Sequence, residues 1–140
     1  MNLKESFTSN SVQDTEAYGS ALARQLRGGT VVALFGGLGM GKTAMVRGIA
    51  RGLGLDAAVS SPTFSLVHDY GGKPPLIHFD MYRVSGWEDL YSTGYYDYLD
   101  AGAILVVEWS ENIEAALPAD AIRLRIEAVD EYTRRISREE

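Results

Sequence analysis

Residues 33–48, ALFGGLGMGKTAMVRG, set four glycines within six positions directly behind an apolar run. Glycine gives up side-chain burial and adds backbone entropy to be lost on folding, so such a run is poor packing material. Residues 36–43, GGLGMGKT, satisfy G-x-x-x-x-G-K-[ST], the Walker A phosphate loop. At average composition that pattern arises by chance in about one chain in 200 of this length, so its flanks decide the matter. Before it, residues 30–35 (TVVALF) form a short apolar run rich in β-branched residues, the pattern of a strand buried on both faces. After it, Met45, Val46, Ile49, Ala50 and Leu53 line one helical stripe, with Arg47 and Arg51 together on the other side. Between a strand and a helix, backbone N–H groups and a helix N-terminus converge on an anion. Lys42 is then expected to bridge the β- and γ-phosphates, facing solvent when no ligand is bound, and the Thr43 hydroxyl to ligate Mg²⁺. A bound triphosphate would offset the cost of the glycines.

The rest of the chain is consistent with an α/β protein. Ser11 to Asp14 have the spacing of a capping box, and Tyr18, Leu22 and Leu26 recur every fourth residue until Gly28 and Gly29 end the helix. Residues 59–70 (VSSPTFSLVHDY) begin with turn formers and become strand-like, and residues 76–84 (LIHFDMYRV) follow a GGKPP loop as a second strand. Alternation there puts His78, Asp80 and Tyr82 on one face and Ile77, Phe79 and Met81 on the other. Residues 86–102 read as helix around a glycine break, residues 103–110 (AILVVEWS) as a buried strand ending in a carboxylate, and residues 111–117 (ENIEAAL) as a short helix stopped by Pro118. Residues 121–129 alternate Ile122, Leu124 and Ile126 with Arg123, Arg125 and Glu127, and residues 133–139 return antiparallel. With no repeat, low-complexity tract or linker, the expectation is one domain over residues 1–140. Its fold class is the P-loop NTPase three-layer α/β/α sandwich, a mostly parallel central sheet with antiparallel strands at the edges.

Composition excludes several classes. A formal charge of -6 argues against a sequence-independent grip on nucleic acid, which depends on Lys and Arg neutralising phosphates. Any RNA role would need a partner to hold the RNA. Cysteine is absent, so no disulfide framework, thiolate zinc site or cysteine nucleophile exists. No signal-peptide h-region opens the chain and no apolar run approaches the ~18 residues of a membrane span, so a cytoplasmic protein is expected.

Phosphoryl chemistry needs a carboxylate for Mg²⁺ and a group that positions water. Glu108, just past AILVV, stands at the C-terminal end of a central strand, where open α/β sheets bind ligands. Asp80 is the second candidate, and which of the two touches metal stays open at this point. Thr63, after Ser61 and Pro62, falls where P-loop proteins place a switch that senses Mg²⁺ or γ-phosphate. His78 has only His68 as a histidine companion, so a hydrogen-bonded structural role is expected of it. Trp109 and Tyr91, Tyr95, Tyr96 and Tyr98 read as core or partner surface rather than a platform for bases.

Walker A, SPTF (61–64), HFDMYR (78–83) and VEW (107–109) together resemble, in order and spacing, the TsaE family of small bacterial P-loop ATPases, over nearly the whole chain. The resemblance implies an ATP- and Mg²⁺-dependent ATPase needed for the threonylcarbamoyladenosine modification of tRNA. It would act with TsaB-like and TsaD-like partners, touching tRNA only through that complex, with hydrolysis resetting the complex. It further implies that Gly37, Leu38, Gly39, Met40, Gly41, Lys42 and Thr43 hold the phosphates, that Thr43 and Glu108 bind Mg²⁺, and that Thr63 and Asp80 belong to the switch and catalytic region. Ser11, Thr15 and either Arg134 or Arg135 would approach the adenine. The chain departs from the commonest pattern at Met40 and Met81, and its tail lacks a clear glycine before Arg134. Rival readings are a small P-loop kinase acting on a small molecule and a nucleotide-binding switch without turnover; a guanine-reading Asn-Lys-x-Asp stretch is absent. No arginine finger is evident in cis beyond Arg83, so weak turnover is expected of the isolated chain.

Overall fold

The structure, a computed structural model, describes residues 6–36, 41–56, 59 and 67–139. The phosphate-loop residues Gly37, Leu38, Gly39 and Met40 and the switch candidate Thr63 lie outside the described residues.

Seven strands form one mixed sheet: β1 (Ser6–Ser9), β2 (Val31–Phe35), β3 (Val67–Asp69), β4 (Leu76–Asp80), β5 (Ile104–Glu108), β6 (Ile122–Ala128) and β7 (Arg134–Glu139). Their order is β1-β7-β6-β2-β5-β4-β3. The central β6, β2, β5 and β4 run parallel, while β7 pairs antiparallel with both β6 and β1 on one side and β3 pairs antiparallel with β4 on the other. This is the arrangement expected of the sheet. Alternation along the central strands explains the layers. Val32 and Leu34 of β2 join Ile104 and Val106 of β5 in a core under α1 (Val12–Ala23) and α2 (Lys42–Gly52). Val31, Ala33 and Phe35 join Leu105 and Val107 on the opposite face, under α3 (Gly86–Ser92), α4 (Tyr95–Asp100) and a 3₁₀ segment, Ser110–Ala116.

Helices α1 and α2 cross in close contact through glycines. A Cβ on Gly48 would stand 2.1 Å from the Glu16 carbonyl oxygen, and one on Gly19 would stand 2.5 Å from that of Met45. Gly52, which marks a helix end in the sequence, also closes this crossing, since its Cβ would meet the Ser20 carbonyl oxygen at 2.5 Å. Arg47 and Arg51 both reach Glu16 of α1, at 3.5 and 3.4 Å, so the polar side of α2 ties the two helices rather than merely facing water.

Several local expectations shift. Ser11 caps α1 by accepting the Asp14 N–H at 3.0 Å, but the Asp14 carboxylate takes the Asn10 N–H rather than that of Ser11, so the capping box is displaced by one residue. Helix α1 ends at Ala23, and the next residues continue as turns that still bury Leu26. Strand β4 stops at Asp80 because Asp80 accepts the Tyr82 N–H with its side chain and the Asn112 amide claims the Met81 and Tyr82 carbonyls. Residues 110–116 form a 3₁₀ helix interrupted by a non-helical Ile113, where the sequence predicts a short helix over residues 111–117.

Candidate functional site

Strand β2 feeds Gly36, and α2 begins after its N-cap Gly41, whose φ of 89° is a left-handed conformation that glycine adopts without strain. Among the described residues no side-chain hydrogen bond caps this helix start, a position where backbone N–H groups can meet an anion. Gly36 is glycine for a different reason: a Cβ there would sit 2.4 Å from the Ile126 carbonyl oxygen of β6. Its N–H donates to the Glu111 carboxylate at 3.0 Å.

Lys42 does not face solvent as the sequence reading had it. It is 5% exposed, its Nζ donates to the Gly36 carbonyl at 2.9 Å, and the ammonium lies 4.3 Å from the centre of the Trp109 ring. Burial lowers its pKa, opposed by the surrounding carboxylates of Glu108, Glu111 and Asp80. Trp109 holds its ring there with a left-handed backbone at φ 59°, uncommon for a bulky residue, and packs against Tyr82. It was read as core or partner surface; a left-handed tryptophan leaves no mark in a sequence.

The two candidate carboxylates converge. Asp80 and Glu108 are direct register partners at the C-terminal ends of parallel neighbours β4 and β5, on the face that also carries α2. Burial is the main reason Asp80 has a raised pKa, with the Glu108 charge adding to it and the Tyr82 N–H opposing it. Glu108 is 4% exposed, not the solvated strand end that its position alone would allow. Thr43 sits half-buried in the first turn of α2. Hard oxygen donors of this kind suit Mg²⁺, which keeps several waters and takes one or two carboxylates plus phosphate oxygens. Among the described residues no group of three or more His, Cys, Asp or Glu is placed to hold a metal ion.

Ser11, Thr15 and Arg134 come together, with Gly41, Ala44 and Tyr132, around a pocket of 240 Å³ beside the start of α2. Tyr132, 73% exposed at its rim, was missed because the β6–β7 turn has no sequence signature for a ligand. Arg135 is exposed outside that pocket. Arg83 lines a separate pocket with Val67, Asp89 and Thr93. His78, expected to take a hydrogen-bonded structural role, is fully buried and pairs through Nε2 with Glu108 Oε2. The alternation that puts His78 and Asp80 on one face was the available signal. Among the described residues no helix is long and apolar enough to cross a membrane.

The family model described as threonylcarbamoyl adenosine biosynthesis protein TsaE matches residues 9–136. The tRNA threonylcarbamoyladenosine biosynthesis protein TsaE of Treponema pallidum is 36% identical over 129 residues, covering 92% of this chain and 96% of that protein. The protein of the same name from Streptomyces coelicolor is 45% identical over 112 residues, 78% of this chain and 76% of its own. The crystal structure of YdiB from Bacillus subtilis matches with a TM-score of 0.78 at 29% identity, over 95% of this chain and 82% of that one. These matches take in the glycine loop, α2 and both carboxylate-bearing strands, and by them the chain belongs to the TsaE family.

Proposed function

We propose that this chain is a Mg²⁺-dependent, ATP-binding and ATP-hydrolysing P-loop protein that acts with TsaB-like and TsaD-like partners in tRNA threonylcarbamoyladenosine biosynthesis. The observation that carries the reading is the meeting of Lys42, Asp80 and Glu108 at the C-terminal edge of β2, β4 and β5, beside the uncapped start of α2. Anion-seeking and cation-seeking groups stand side by side there, as a metal-bound polyphosphate requires.

In this reading the N–H groups at the start of α2 and the Lys42 ammonium hold phosphate oxygens, and Lys42 exchanges its Gly36 carbonyl for them. Thr43 and Glu108 hold Mg²⁺, which when bound neutralises charge on the phosphate oxygens. Asp80 orients water at the strand end, and burial holds its carboxyl above the ordinary carboxylate value, which makes it a better proton acceptor. The nucleoside lies toward the pocket of Ser11, Thr15 and Arg134. The family name carries the tRNA pathway, and the acidic charge of -6 leaves tRNA contact to the partners.

The test is reconstitution with γ-labelled ATP, with and without TsaB-like and TsaD-like proteins, for wild type, Lys42→Met and Glu108→Ala. Free phosphate released weakly by the chain alone, more strongly with partners and not by either variant, is expected. Transfer of label to a metabolite would replace the reading with a kinase, and binding without turnover under all conditions would replace it with a switch.

A further inference from the structure

We propose that His78 is a positioning residue for the metal carboxylate: its Nε2–H fixes Glu108 Oε2 and so aims Oε1 at the cation. The inference rests on the reading of Glu108 given above and extends it to a residue buried behind the site.

The geometry begins with register. Asp80 lies directly opposite Glu108, and His78 lies opposite Val106, so His78 is the diagonal neighbour of Glu108 on the same sheet face. Diagonal neighbours on one sheet face lie within reach of two long side chains, and these two meet. The pair closes at 2.5 Å, with the imidazole side chain 0% exposed and the carboxylate side chain 6% exposed. An ionised carboxylate only accepts, so Nε2 is the donor.

The other ring nitrogen is also held. His78 Nδ1 pairs with the Tyr70 hydroxyl at 3.3 Å, and that hydroxyl pairs with His68 Nδ1 at 3.1 Å. The His68 and His78 rings are edge to face, 6.3 Å between centroids. A chain of side chains thus runs from the β3 edge of the sheet, His68 and Tyr70, through His78 on β4 to Glu108 on β5. It fixes ring orientation at both nitrogens, which a histidine serving only as core filler does not require. Outer partners of this kind commonly set metal affinity without touching the ion.

The test separates metal binding from nucleotide binding and from folding. Affinity for a fluorescent N-methylanthraniloyl-ADP is measured in EDTA and across a Mg²⁺ titration, and Mn²⁺ binding in the presence of ADP is followed by electron paramagnetic resonance. For His78→Leu the half-saturating Mg²⁺ concentration should rise about 10- to 100-fold while the EDTA affinity stays within about twofold of wild type. His78→Gln, whose amide reaches the Nε2 position, should recover most of that loss. His78→Asn, which reaches only the Nδ1 position, should not. If His78→Leu fails to fold, the Gln and Asn pair carries the comparison. An unchanged Mg²⁺ midpoint, equal losses with and without Mg²⁺, or Gln no better than Asn would overturn the proposal. A wild type that binds the probe with no Mg²⁺ effect would overturn the metal reading of Glu108, and His78 with it.

Discussion

Replacing Gly48 by alanine sets two well-defined effects against each other. Alanine in a helix interior is favoured over glycine by about 1 kcal/mol, from backbone entropy and side-chain propensity. Against this, the new Cβ would lie 2.1 Å from the Glu16 carbonyl oxygen and 2.8 Å from its Cα and carbonyl carbon, 1.3 Å inside the 3.4 Å at which contact becomes ordinary. All three atoms belong to backbone, so no rotamer change relieves the overlap; α1 and α2 must separate. Overpacking of this kind typically costs about 1–3 kcal/mol, and a backbone-only clash belongs at the upper end. A net loss of about 2 kcal/mol is expected, which for this chain length lowers the melting temperature by about 7 °C. The same separation spreads the pocket that Ser11 and Thr15 share with Gly41 and Ala44, so nucleotide affinity should fall at temperatures where the variant remains folded. Thermal and urea unfolding followed by circular dichroism measure the first effect, and nucleotide titration the second. A melting temperature equal to or above wild type would refute the argument, because propensity would then outweigh a contact that the crossing does not permit.

Two further outcomes follow from single groups. The Tyr95 hydroxyl, buried and donating to the Ala116 carbonyl at 3.1 Å, has its pKa pushed up to about 12 by burial. A pKa raised in the folded state leaves stability intact below the ordinary tyrosine value of about 10 and removes it as pH climbs toward about 12, so about 1.3 kcal/mol should be lost between pH 9 and pH 11. Urea unfolding at the two pH values should show Tyr95→Phe losing less than wild type; equal losses would reject the assignment. Glu111→Gln removes a carboxylate that takes the Gly36 N–H and lies close enough to Lys42 to raise its pKa. Nucleotide affinity should rise about fivefold, or ~1 kcal/mol, with less difference at high salt, because a like charge leaves the phosphate site. Weaker binding by this variant would mean that Glu111 holds the loop in its binding shape.

Strands β2 and β5 were legible because both faces are buried, which forces unbroken apolar runs, VVALF and ILVVE. Helix α2 was legible because one face meets the sheet and the other carries Arg47 and Arg51. Glu108 and Asp80 could be nominated from their strand-end positions. Their adjacency could not, since it depends on β4 and β5 pairing in a register set by tertiary packing. The burial of Lys42 was invisible for a related reason: its lid is Trp109, contributed from a different strand end by an unusual backbone angle. The Asn112 amide donates to the Met81 and Tyr82 carbonyls just past β4, a tertiary contact that ENIEAAL does not reveal. Gly36, the first residue of the Walker A match, is required to be glycine by the close approach of β6.

The resulting site has an electrostatic consequence. Three carboxylates, Asp80, Glu108 and Glu111, bear on Lys42, so with all four ionised this set carries a formal charge of 1 - 3 = -2. On the proposed reading such a set would favour a divalent cation over a polyphosphate as first ligand, because the lysine, lowered in pKa by burial, is engaged with the Gly36 carbonyl and the Trp109 ring. Releasing it costs a charge-assisted hydrogen bond of about 1.5–3 kcal/mol and a cation–π contact of about 0.5–2 kcal/mol. A phosphate oxygen recovers the first of these in full and the second only in part. On the proposed reading, metal and nucleotide would favour each other's binding, and Glu108 with the imidazole behind it would set the affinity for the pair.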